Sequence, residues 1–222
     1  MIGNSRSVVS RQQGPHEDLA RRLDRHRRTR WRRPVADHSR AAFEAIAAAL
    51  DPARPIVLDA GCGTGESTLR LAELHPDAQV VGVDKSAHRL ARGPGGASVH
   101  LVRADLQDFW RLARERGWRL AAHYLLYPNP WPKAAHLQRR WHGHPVFPDL
   151  LTLGGALELR TNWPVYAEEF AAALAHLDVP AEIDRFRSPP DGAPLTPFER
   201  KYLASGQTCL RVRARPDGRV AP

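Results

Sequence analysis

The sequence predicts an α/β domain built on a mostly parallel sheet with an antiparallel C-terminal edge and helices on both faces. Three observations predict it. Short apolar runs alternate with segments of helical periodicity between residues 56 and 177, and such alternation requires parallel strands whose crossover helices lie over the sheet. A glycine-rich loop stands between the first of these strands and the first of these helices. The last two apolar runs, 181–185 and 208–212, are separated by a polar connection and read as an antiparallel pair.

The elements follow in order. Phe43, Ile46, Ala47 and Leu50 recur at helical spacing, and Asp51-Pro52 with Pro55 ends that helix. Residues 56–60 form a short apolar strand, 66–74 a helix, and 79–83 a second strand that ends in Asp84. A short helix over 86–92 and a third strand over 99–102 come next, then a helix over 106–116 and a fourth strand over 121–127. The fifth strand, 155–161, leads into an alanine-rich helix over 164–177.

At 222 residues the chain is long enough for one such domain and short for two. Its formal charge of +9 is unevenly placed, with eleven arginines against four acids in residues 1–40 and eight arginines in the thirteen residues from Arg21 to Arg33. Residues 1–40 are therefore expected to be a basic, flexible arm, and 41–222 the folded domain. Guanidinium forks bind phosphate oxygens in pairs and Trp31 can stack on a base, so the arm points to nucleic acid. A tail without a specific partner is the plainer reading, since the chain holds 30 Arg and only three Lys. No apolar run reaches membrane-spanning length and no apolar leader opens the chain, so a cytoplasmic location is expected, with no membrane contact. Cys62 and Cys209 lie far apart without ligand spacing, which indicates neither a disulfide nor a metal site.

The loop reads Asp59-Ala60-Gly61-Cys62-Gly63-Thr64-Gly65. Glycines there let the backbone turn sharply and let a ligand approach where a Cβ would obstruct it. Asp84 ends the second strand, placed for ribose hydroxyls, and Asp105 follows the third strand, placed for an adenine amino group. Asp59 is suited to orient an ammonium, which matches S-adenosyl-L-methionine and not a pyrophosphate. For each acid, helix capping or solvation is the plainer reading. Together, a strand-DxGxGxG-helix unit, a strand-final Asp and Ala104-Asp105-Leu106 resemble the Rossmann-like class I S-adenosylmethionine-dependent methyltransferases.

After the fourth strand stands Tyr127-Pro128-Asn129-Pro130-Trp131-Pro132-Lys133. Three prolines lacking N–H groups cannot continue a ladder, so the stretch is a rigid segment holding Asn129 and Trp131 where α/β sheets bind ligands. From Pro128 to Arg140 it resembles the signature of the tRNA guanine-N7 methyltransferase family, a Pro-Asp-Pro-Trp-Pro-Lys run followed by a basic stretch. Pro130, Trp131, Pro132, Lys133, His136, Arg139 and Arg140 keep its spacing. Thr161-Asn162-Trp163 with Tyr166 is similar to the family's Thr-Asp-Trp segment, and Thr196-Pro197-Phe198-Glu199 to its Thr-x-Phe-Glu motif.

The resemblance implies methylation of guanine N7 in tRNA. Asn129 would face the base as the catalytic residue, and Asn162, Thr196 and Glu199 would complete its pocket. Lys133, His136, Arg139 and Arg140 would hold phosphate or position the loop. The chain departs from the family on the substrate side, where Asn129 and Asn162 replace Asp, and Ala134, Ala135 and Gln138 stand at usually basic positions. Two further readings stay open. Asn-Pro-Trp is similar to the Asn-Pro-Pro-aromatic motif of amino methyltransferases, and a cofactor- or RNA-binding relative without turnover is the other.

Overall fold

A computed structural model describes residues 3–6, 8–93 and 99–219. The parallel strands arise where the sequence placed them: β1 (Ile56–Ala60), β2 (Gln79–Asp84), β3 (Val99–Arg103), β4 (Leu120–Leu126) and β5 (Ala156–Thr161). β6 (Ala181–Phe186) and β7 (Cys209–Ala214) complete one seven-stranded sheet in the order β3-β2-β1-β4-β5-β7-β6. β7 runs antiparallel between β5 and β6, so the C-terminal edge is antiparallel as expected. β1, β2 and β4 are almost wholly buried, which is why they read as continuous apolar runs and not as alternating ones.

Helices α2 (Asp37–Ala49), α3 (Glu66–Leu74), α4 (Ala87–Leu90), α5 (Leu106–Glu115) and α7 (Pro164–His176) match the predicted ones, α4 being shorter than expected and capped by Ser86 Oγ. The core centres on Phe43, Phe109, Trp110, Phe147 and Phe170 together with the inward residues of the strands. Three helices escaped the sequence pattern: α1 (Leu19–Arg28), α6 (Phe147–Thr152) and α8 (Pro197–Ala204). The last occupies the connection read as merely polar.

The basic segment is not a solvated arm throughout, and here the sequence expectation is corrected. Leu19, Leu23 and His26 share one stripe of α1 and are buried, while Arg21, Arg25, Arg27 and Arg28 stay outside. Two leucines four residues apart suffice to seat one face of an otherwise polar helix against α7. Trp31 is also taken up. Its ring lies edge-on to His144 at 4.8 Å and under the Arg111 guanidinium at 5.3 Å, packed on the core instead of offered to a base. Residues 1, 2 and 7 of the segment lie outside the described residues. Among the described residues, no helix is long and apolar enough to cross a membrane, and no group of His, Cys, Asp or Glu is arranged to hold a metal.

Candidate active site

The chain order of the sheet reverses between β1 and β4, with β2 and β3 on one side and β5 on the other. Ligands bind at the carboxyl ends of the strands at such a switch point. Asp59, Asp84, Asp105, Asn129 and Asn162 stand at or just after the carboxyl ends of β1 to β5 in turn, on one rim of the sheet.

Gly61, Gly63 and Gly65 all adopt left-handed backbone, with φ of +88°, +62° and +83°. A Cβ on Gly63 would meet nothing within 4 Å, and one on Gly61 only Leu106 Cδ1 at 3.9 Å, whereas one on Gly65 would collide with Leu101 at 2.9 Å. The first two glycines thus leave open space above the loop, and the third packs the start of α3 onto the sheet.

Asp84 ties this loop to β2. Its Oδ2 accepts from the Gly63 N–H at 3.1 Å, its Oδ1 accepts from the Ser86 N–H at 2.8 Å, and the Arg89 guanidinium lies 3.1 Å from Oδ1. Asp59 is 1% exposed and turned towards α3, accepting from Ser67 Oγ at 2.6 Å and Thr68 Oγ1 at 2.8 Å. Burial pushes its carboxyl up, against the two hydroxyls and with help from Asp84, to about 6. The burial of Asp59 and its hydrogen bonds to Ser67 and Thr68 make it an anchor for the first turn of α3, in place of the expected direct contact with an ammonium. The donor set fits S-adenosylmethionine. Its open glycine backbone and clustered carboxylates suit ribose hydroxyls and a cationic ligand, and would repel a pyrophosphate.

Asp105 caps α5, its Oδ1 accepting from the Gln107 N–H at 3.0 Å, while its own N–H donates to Ser39 Oγ at 3.1 Å. Serine caps helices about as well as aspartate. Asp105→Ser is therefore expected to change stability by less than about 0.5 kcal/mol and to weaken cofactor binding about fivefold, one hydrogen bond's worth. Thermal denaturation beside calorimetry checks this; unchanged affinity would leave Asp105 with the cap alone.

The proline segment leaves β4 under constraint. The Tyr127 N–H still donates to the Arg160 carbonyl at 2.7 Å, and then Tyr127 and Trp131 both adopt left-handed backbone, with φ of 52° and 44°. Such conformations in bulky residues cost about 1–3 kcal/mol each and persist only where neighbours hold them. The Trp131 carbonyl accepts from Arg140 Nε at 3.3 Å and Nη2 at 3.1 Å, and the Lys133 carbonyl accepts from Nη2 at 3.4 Å. Asn129 is exposed, its Oδ1 accepting from the Trp131 N–H at 3.4 Å. Two short 3-10 helices, Ala134–Arg139 and Trp141–Gly143, follow. Arg139 stacks over the Trp131 ring at 4.6 Å and His136 meets it edge-on at 5.6 Å, so Lys133, His136 and Arg139 gather at one outward edge.

Arg140 does not join them. It is 2% exposed and turned inwards, paired with Glu169, which also takes a 2.6 Å hydrogen bond with His142 Nε2. Of the two roles expected of Arg140, this geometry goes against holding phosphate and agrees with positioning the loop, through its hydrogen bonds to the Trp131 and Lys133 carbonyls.

Asn162 is buried and donates from Nδ2 to Gln207 Oε1 at 2.8 Å. Thr196 caps α8 by accepting from the Glu199 N–H at 3.0 Å. Glu199 is wholly buried. Its carboxylate accepts from Arg160 Nη1 at 3.0 and 3.2 Å and from the Tyr127 hydroxyl at 3.1 Å, which joins α8 to β5 and to the end of β4. Burial pushes the Glu199 carboxyl up, and Arg160 with Tyr127 opposes that rise. Arg160 also pairs with Glu158 at 2.6 Å and with Asp191.

Sequence reasoning missed Arg160, Glu169, Gln12 and Gln207. A signal existed for two of them: Glu158 and Arg160 alternate on one face at the end of a buried strand, and Glu169 precedes Phe170 on the apolar side of an alanine-rich helix. An open depression of about 580 Å³ lies beside Thr64 and Glu66 of the glycine loop, while another of about 420 Å³, lined by Ala156, Ala181 and Ala214, lies at the amino end of β5, away from this rim.

Comparison with known proteins decides the family. A family model described as "Putative methyltransferase" matches residues 53–212. A tRNA (guanine-N(7)-)-methyltransferase of Halorhodospira halophila is 35% identical over 184 residues, covering 74% of this chain and 77% of that protein. One of Leifsonia xyli subsp. xyli is 30% identical over 178 residues, covering 73% and 76%. The chain belongs to the tRNA (guanine-N(7)-)-methyltransferase family. Among solved structures, the 16S rRNA methyltransferase KamB superposes with a TM-score of 0.57 at 17% identity, over 83% of this chain and 95% of that one. An antibiotic-related methyltransferase gives 0.53 at 16% identity, over 82% and 96%. These two likenesses establish the methyltransferase fold. For a tRNA (guanine-N(7)-)-methyltransferase family member, the matched span runs from just before β1 to within β7, so it includes the glycine loop, the proline segment and α8.

Proposed function

We propose that this chain transfers the methyl group of S-adenosylmethionine to N7 of a guanine in tRNA. The observation that carries this is the placement, in a chain of that family, of the glycine loop and the proline segment at the carboxyl ends of the adjacent parallel strands β1 and β4. The cofactor supplies an electrophilic sulfonium methyl. Guanine N7 offers an exposed lone pair, so no proton need be removed, and the protein acts by positioning and electrostatics.

Each residue's part follows. Gly61 and Gly63 open the backbone to the cofactor, Asp84 and Asp105 serve its ribose and adenine, and Asp59 holds the loop's helix. Glu199, wholly buried and held by Arg160 and Tyr127, fixes α8 against the ends of β4 and β5 on the substrate side. Asn129 presents an amide beside the acceptor nitrogen. Lys133, His136 and Arg139, with the outer arginines of α1, form the phosphate-binding surface, which makes binding weaken with added salt. A tRNA substrate places the protein in the cytoplasm. The relatives do not favour the amino-group target or the non-catalytic reading.

Methylation leaves a positive charge on the guanine, and Asn129 and Asn162 provide no counter-charge. A carboxylate about 4 Å away would contribute up to about 4 kcal/mol at an effective dielectric of 20. Much of that is lost to desolvation, so Asn129→Asp is expected to raise guanine-N7 turnover by about tenfold, a 1.4 kcal/mol gain. An unchanged or lower rate would assign the amide to another target. The primary test is methylation of tRNA from a strain lacking the modification, read by nucleoside mass spectrometry. 7-Methylguanosine is the expected product, and cofactor binding without it sinks the proposal.

A further inference from the structure

The N-terminal segment is joined to both asparagine-bearing motifs. Gln12 Nε2 donates to Glu169 Oε1 at 2.8 Å and to the Gly14 carbonyl at 2.6 Å, while Gln12 Oε1 accepts from Arg140 Nη2 at 2.9 Å. The His16 N–H donates to the same Glu169 oxygen at 2.8 Å. Further back, Gln207, which accepts from Asn162, donates from Nε2 to the Arg6 carbonyl at 2.9 Å, and the Ser5 N–H donates to Ser205 Oγ at 3.0 Å.

We infer that Gln12 is a positioning residue for methyl transfer, acting through Arg140 on the backbone of the proline segment; this rests on the proposed function. Arg140 has two sets of acceptors, the Glu169 carboxylate on one side and the Trp131 and Lys133 carbonyls on the other. A guanidinium fork matches a carboxylate best when both its donors face it. Gln12 prevents that, because its amide occupies Glu169 Oε1 and its carbonyl holds Nη2 outward. One Nη2 hydrogen goes to Gln12, and the other, together with Nε, goes to the Trp131 carbonyl and keeps that residue in its left-handed conformation, two residues from Asn129. Without Gln12 the fork turns onto Glu169 and releases Trp131.

The test compares wild type with Gln12→Ala, the near-isosteric Gln12→Met, Arg140→Lys, and Arg140→Lys combined with Gln12→Ala. Two readouts are taken: tRNA methylation kinetics and hydrogen–deuterium exchange over residues 131–140. Both Gln12 variants and Arg140→Lys are expected to lower kcat by about ten- to a hundredfold, the cost of a displacement near 1 Å. KM for both substrates should stay within about twofold, exchange should rise about tenfold, and Gln12→Ala should add nothing to Arg140→Lys. Unchanged kcat and exchange in both folded Gln12 variants overturns the inference. So does a rise in KM for tRNA with kcat intact, which would make Gln12 a direct RNA contact, or additivity with Arg140→Lys. If the wild type proves inactive on tRNA, exchange alone decides. Faster exchange in the Gln12 variants then keeps the tether while the proposed function falls, and unchanged exchange removes the tether as well.

Discussion

Alanine at Glu169 is expected to destabilise the protein by about 3–5 kcal/mol, the usual loss when one member of a buried ionic group is removed. The residue is wholly buried, and its carboxylate is shared by Arg140, His142, Gln12 and the His16 N–H. Removing it strands the Arg140 guanidinium in the interior and detaches the N-terminal segment from α7. The effect depends on pH. Burial alone would raise the Glu169 carboxyl, but the His142 hydrogen bond and the Arg140 guanidinium outweigh it and hold the group at about 2. A carboxylate depressed in the folded state contributes its stability fully above the ordinary value near 4.5, and that contribution fades as pH falls towards 2. Urea denaturation of wild type and Glu169→Ala should therefore show the full gap at pH 7 and a narrowing gap below about pH 4.5. A gap under about 1 kcal/mol, or one indifferent to pH, would show the network to be dispensable.

Asparagine at Asp59 is expected to move stability and cofactor affinity in opposite directions. Asp59 is buried with its carboxyl pushed up to about 6, so the folded chain holds that proton more tightly than the unfolded one. The wild type is accordingly more stable below about pH 4, and this advantage is lost as pH rises through about 6. Asp59→Asn removes the buried charge while its side-chain oxygen still accepts from Ser67 and Thr68. Without cofactor, the variant should be more stable than wild type by about 1–3 kcal/mol at pH 7.5, with the difference vanishing near pH 4. Its affinity for S-adenosylmethionine should fall by about ten- to a hundredfold, since a cationic ligand loses a nearby counter-charge. Thermal denaturation across pH and calorimetry at pH 7.5 check the two halves. A less stable variant that binds normally would confine Asp59 to holding α3.

The fold was legible in the sequence because its signals are local. β1 and α3 begin and end where the apolar run and the helical spacing do, and the left-handed glycines of the loop between them are demanded by that turn alone. What escaped has physical causes. In α1 the two leucines that seat the helix are outnumbered by arginines, so composition masked periodicity. In α8, Thr196 as cap, Pro197 in the first turn and Glu199 three residues after the cap are a helix-start pattern that coincides with the Thr-x-Phe-Glu motif and is hidden by it.

The candidate site divides in the same way. Residue types at strand ends identified the cofactor loop, the proline segment and the family, because those motifs state backbone geometry and chemistry over a few residues. Pairings over long sequence separations were decided by tertiary structure. Arg140 faces inward because Glu169 lies opposite it on α7, Glu199 is held because Arg160 rises beside it on β5, and Gln12 crosses 128 residues of sequence to reach Arg140. A buried guanidinium costs least where a carboxylate is buried beside it. That partner is chosen by how the helices close over the sheet, so the sequence by itself determined the glycine loop, the proline segment and the family, and only the tertiary structure decided which side chains stay at the rim and which turn inward to hold the others in place.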